Sequence, residues 1–198
     1  MNQDPNIMPD VAVKGIATGL IMMAFFTLLW AGIAFRGLYE TNYLPVLLIF
    51  PVLNIVFIVN AVKIYKIADQ FPKLTSEADI LEEKRMGKWF GIIFGVEGLL
   101  IFIGINVVVN LDHPDLTIPV IALVVGLHFY PLAKVFKRTI DYYLATWSTI
   151  IAILAIVLIL NKTITENTSF IFVGIGIGIA TSGYGIYMIL PDVRRANH

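Results

Sequence analysis

The chain has 198 residues, 58% hydrophobic and 14% charged, with a mean hydropathy of +0.84. A soluble domain of this length sits nearer half apolar and a quarter charged, so the apolar excess points to a bilayer as solvent. Fourteen Lys and Arg balance fourteen Asp and Glu, which leaves no net charge to attract nucleic acid. The absence of cysteine excludes disulfides, thiolate metal sites, Fe–S clusters and a Cys nucleophile.

The apolar residues fall in six blocks, at 15–35, 44–62, 89–109, 116–133, 143–160 and 169–190. A hydrocarbon core of ~30 Å takes about 20 helical residues, so each block predicts one transmembrane helix. The expected fold is an all-α, six-helix bundle forming a single domain over 1–198. The first block lacks a small-residue cleavage site and reads as a retained helix, not a removed signal peptide. If the blocks alternate, Lys14, Lys63, Lys66, Lys73, Lys84, Arg85, Lys88, Lys134, Lys137, Arg138, Arg194 and Arg195 share one side. Only Arg36 and Lys162 take the other. That bias predicts cytoplasmic N and C termini.

Residues 1–10 are polar and read as a short tail or interfacial cap carrying Pro5 and Pro9. Helix 1 has few polar groups beyond Thr18 and Thr27, with Trp30 and Tyr39 expected as interfacial anchors. Helix 2 contains Pro51, expected to kink it, followed by Asn54 and Asn60. The cytoplasmic loop 63–88 is the longest. Pro72 breaks the extension of helix 2, Ser76 with Asp79 spells a capping box, and a helix is expected from about Glu77 straight into helix 3. Its charges form a solvated face, or a docking face for a cytoplasmic partner. Helix 3 carries Glu97 in its middle, and Gly91 with Gly95 as a small-residue pair.

The outer turn Asn110 to Asp115 contains His113 between Asp112 and Asp115, a weak cation site or simply a good turn. Helix 4 carries His128. On helix 5, Tyr142, Thr146 and Thr149 lie at helical spacing, beside Trp147. Helix 6 presents Gly174, Gly178, Ser182 and Gly185 on one face, which suits close helix packing within the bundle or a homo-oligomer. No tandem repeat is visible, and the two halves show no convincing inverted repeat.

Depth links the intramembrane polar residues. Glu97 is nine residues after Lys88, His128 nine before Lys137, and Asn54 nine before Lys63. Each therefore lies ~13–14 Å below a basic boundary, near the midplane. Trp147, nine after Arg138, joins the same layer. An acid and an imidazole in hydrocarbon need a partner or a function, so contact between Glu97 and His128 is expected. One Glu and one His make no metal site, because three or four ligands are normal.

The segment GLHFYPLAKVFKRTIDYY, with Gly126, Leu127, His128, Phe129, Pro131, Leu132 and Ala133, resembles a segment of small uncharacterised bacterial multi-pass membrane proteins. The resemblance covers helix 4 and the start of helix 5. It implies a bacterial inner-membrane location and carries no activity.

These readings converge on binding, and possible transport, of a small solute or proton at Glu97 and His128, with Asn54, Tyr142, Thr146 and Trp147 as candidate pocket residues. The second expectation is a non-transporting membrane protein whose Glu/His pair fixes helix packing while the cytoplasmic loop serves a partner. A membrane-embedded enzyme ranks third. The expected partner is the lipid bilayer, with no nucleic acid, no cofactor and no metal.

Overall fold

The computed structural model describes residues 8–38 and 47–190. Among them the chain forms six α-helices: α1 (Asp10–Leu38), α2 (Ile49–Ala68), α3 (Glu77–Asn110), α4 (Thr117–Phe136), α5 (Thr139–Leu160) and α6 (Glu166–Ile189). A short 3₁₀ turn, Pro114–Leu116, precedes α4. Each helix is long and apolar enough to cross a membrane, the architecture of a multi-pass membrane protein. The expected start of helix 2 at Leu44, the anchor Tyr39 and residues 1–7 of the tail lie outside the described residues.

The successive helices alternate in direction. The end of α1 meets the start of α6, where a Cβ on Gly37 would strike the Asn167 carbonyl. At that same end Val108, Leu116 and Ile159 cluster from α3, the 3₁₀ turn and α5. At the opposite end Lys14 of α1 pairs with Asp69, just past α2. Lys137 past α4 pairs there with Glu82 of α3. Every described Lys and Arg except Arg36 and Lys162 therefore belongs to one end of the bundle.

The centre is α6, the most deeply covered helix. Its glycines face several neighbours. A Cβ on Gly174 would lie 2.6 Å from the backbone nitrogen of Ala34 and 2.7 Å from the carbonyl oxygen of Trp30. Only a hydrogen at Gly174 permits that backbone-to-backbone approach. Gly178 and Gly185 seat the rings of Phe50 and Phe57 from α2, and Gly176 seats Ile151 from α5. The small-residue face of helix 6 is thus filled within this chain. Thr27 and Thr181 hydrogen-bond across the α1–α6 contact at 3.0 Å.

α3 is the outlier. It packs chiefly on α4 and buries only Ile93, Glu97 and Val108 of its 34 residues. Its contact face runs Phe90, Phe94, Glu97, Gly104, Val108, spaced four, three, seven and four, the seam of a coiled-coil-like pair. Gly91, Gly95 and Gly98 point elsewhere, with no atom within 4 Å of an added Cβ.

Three expectations need correction. Pro51 lies in the first turn of α2, where no intrahelical donor is lost, so it starts the helix instead of kinking it. Trp30 is 1% exposed and packs in the core with Ala152, Val173 and Ile177, because α1 is a central helix with α6 against it. Ser76 stands at the N-cap of α3 with extended backbone, yet its side chain makes no capping hydrogen bond. The unbroken run from Glu77 into the third spanning helix is as expected.

α3, α4 and α5 stop by one device. Asp112, Lys137 and Lys162 adopt left-handed backbone with φ of 58°, 53° and 55°. The next amide then reaches back five residues, from His113 to Val108, Arg138 to Ala133 and Thr163 to Leu158. This is the Schellman closure, made here without glycine.

Candidate functional site

Glu97 and His128 meet. Nδ1 of His128 lies 3.3 Å from Oε1 of Glu97, with side chains 8% and 9% exposed. The α3 seam turns Glu97 inward, and α4 delivers His128 at the matching height. The direction is poorer than the distance: Nδ1 has no hydrogen-bond partner of good geometry. Aromatic rings close around the imidazole. Phe94 stands edge-on at 5.4 Å between centroids, and Phe129 tilts over it at 4.2 Å. Phe90 extends this wall to Phe94 and Phe136.

The other sequence-predicted residues occupy separate contacts. The Asn54 amide donates to the Ala24 carbonyl, joining α2 to α1. Nε1 of Trp147 donates to the Gly176 carbonyl at 2.8 Å, joining α5 to α6, while its ring stays exposed. Thr146 and the Tyr130 hydroxyl share a hydrogen bond at 3.1 Å on an exposed face, beside Tyr142. The polar layer is thus a set of staples between different helix pairs. Only Glu97 and His128 of the six are brought into mutual contact.

Two grooves open on the surface of the bundle. Both are apolar, and neither is lined by any of the six residues. His113 and Asp115 stand 3.7 Å apart in the loop, both partly or fully solvent-facing.

A second buried polar cluster escapes sequence reasoning. Asp141 is 1% exposed at the start of α5, with its Oδ2 3.4 Å from Nε of Arg138. The Tyr184 hydroxyl of α6 faces the Asp141 carboxyl. The Arg138 guanidinium lies 4.4 Å from the Phe136 ring centroid and 5.9 Å from that of Tyr184. The signal was the three-residue spacing of Arg138 and Asp141, but the partner from α6 has no local signature. Nearby, Lys14 bridges buried Asp10 at 3.3 Å and exposed Asp69 at 2.7 Å. The hydrogen bond from Lys14 holds the Asp69 carboxyl below the usual carboxylate range.

The arrangement can do two things chemically. It can hold α3 against α4 by a polar contact in a dry, aromatic setting. It can also keep one proton between a carboxyl and an imidazole. Comparison with protein-family models, curated proteins and solved structures finds no match for this chain.

Proposed function

We propose that this chain is a non-transporting multi-pass membrane protein in which the Glu97–His128 contact latches α3 onto the bundle. The latched helix then carries its charged extension, residues 77–88, out to a partner. The observation behind this reading is the burial of the pair: both side chains are under a tenth exposed, beside the rings of Phe94 and Phe129. A carrier needs a water-reachable cavity at its binding layer. α3 buries three residues, so its single buried acid is a large part of what holds it. The extension is exposed along Glu77, Asp79, Glu82, Glu83, Lys84 and Arg85, with Glu82 alone tied back, to Lys137. The bias of basic residues toward that end supports a cytoplasmic location for it and for both termini. The resemblance of the His128 segment supports a bacterial inner membrane.

Proton handling at the same pair is the second reading, favoured by the buried Nδ1 of His128 without a well-directed partner. One experiment separates the two. The protein is reconstituted in vesicles with an enclosed pH-sensitive dye, and a pH step is imposed. The expected decay matches that of empty vesicles and is the same for Glu97→Gln. A faster decay abolished by Glu97→Gln would replace the latch with the proton reading.

A further inference from the structure

The two grooves are unrelated to the Glu97–His128 contact. One, of about 470 Å³, lies between α1 and the start of α2, along Ala31, Phe35, Leu47 and Pro51. The other, of about 370 Å³, lies between α1 and the starts of α4 and α6, along Ile33, Arg36, Ile118 and Phe170. Leu28 and Gly32 line both, so the grooves run side by side along one ridge of α1. At Gly32 the ridge is low: an added Cβ would meet nothing within 4 Å. From Leu28 to Arg36 the ridge covers ~12 Å of helix.

A cation stands at one end of the second groove. Arg36 is exposed in the last turn of α1, its guanidinium 4.9 Å from the Phe170 ring centroid. Among the described residues no carboxylate pairs with it. The contact with Phe170 holds the guanidinium at the groove, where its donors suit an anion.

We propose that this face binds one anionic diacyl phospholipid, with its phosphate on Arg36 and one acyl chain in each groove, straddling Gly32. The fork of guanidinium donors suits phosphate oxygens. Two apolar grooves that share Leu28 and Gly32, one of them reaching Arg36, suit a headgroup with two chains. A free phosphate would leave both grooves unfilled.

The test is native mass spectrometry of the full chain in mild detergent. It is titrated with phosphatidylglycerol and, separately, with phosphatidylcholine of the same chains. Wild type should hold one phosphatidylglycerol, favoured about fivefold over phosphatidylcholine, the size expected for one basic residue near a headgroup. Arg36→Gln should abolish that preference, Arg36→Lys should keep part of it, and Gly32→Leu should weaken both lipids by filling the low point of the ridge. Monodisperse elution of each variant checks folding, and the Lys and Leu variants carry the test if the Gln variant fails that check. Equal retention of the two lipids by wild type would overturn the proposal. So would an unchanged preference in Arg36→Gln, or glycerol phosphate competing as well as the intact lipid. A lipid-free dimer dissolved by Gly32→Leu would assign the face to a second copy instead.

Discussion

Glu97 and His128 illustrate how a buried polar pair is judged at the scale of single residues. Removing one member strands the other in an apolar site, whereas replacing both removes the problem. Glu97→Leu alone is expected to destabilise the detergent-solubilised protein by about 3 kcal/mol. The double change to Leu at 97 and 128 should return to within about 1 kcal/mol of wild type, read from thermal unfolding. A double variant as weak as the single one would show that the pair does more than latch two helices. At the membrane edge, Asp69 gives a pH signature. Its carboxyl is held low by Lys14, so the folded state prefers the ionised form. The stabilisation is complete above the ordinary carboxylate pKa and disappears as pH falls through the folded value. Unfolding midpoints of wild type and Asp69→Asn should therefore differ slightly at pH 7 and converge toward pH 3, the size being small because the pair is exposed.

The glycines of α6 act at the scale of the helix. The Gly174 site admits no side chain, because the backbone of α1 fills the space a Cβ would take. Gly174→Leu must push α1 away, and a loss of about 3 kcal/mol is expected, the upper end for overpacking. Gly95→Leu on α3 serves as the control, since nothing lies near its Cβ position. Comparable losses at both sites, in the same unfolding assay, would mean that the close approach at Gly174 does not set the effect, since Leu is the better helix former and should cost α3 nothing. The contrast was half visible in the residue spacing. Both helices carry small-residue pairs, and spacing alone does not say which of them another helix covers.

The whole molecule is a five-helix body built on α1 and α6, with α3 laid along α4 at its side. Its alternating helices place the two ends of the bundle in different compartments. The natural lack of cysteine allows a clean test by single substitutions. Cysteine at Ser76 or Glu83 should react with a membrane-impermeant maleimide only in inside-out vesicles, and cysteine at Asp112 or Lys162 only in right-side-out cells. Labelling of both groups from one side would refute the alternation.

What the sequence by itself determined was the solvent, the number of spans and the separation of charge. Those follow from apolar runs of bilayer length and from the ends at which Lys and Arg fall, and both are local properties of the chain. The continuation of α3 into its charged extension was equally local. The meeting of Glu97 with His128 was legible from depth, because height in a bilayer can be counted in residues from a basic boundary. Rotation about the helix axis cannot be counted that way. Tertiary structure decided that Asn54 and Trp147 bond to the backbones of α1 and α6, that Trp30 points into the core, and that Asp141 meets Tyr184. It also placed Pro51 in a first turn, since that depends on where α2 begins against its neighbours. Apolar residues cover every side of a membrane helix, so no amphipathic stripe records which side faces protein. Only packing against the other helices fixes that angle.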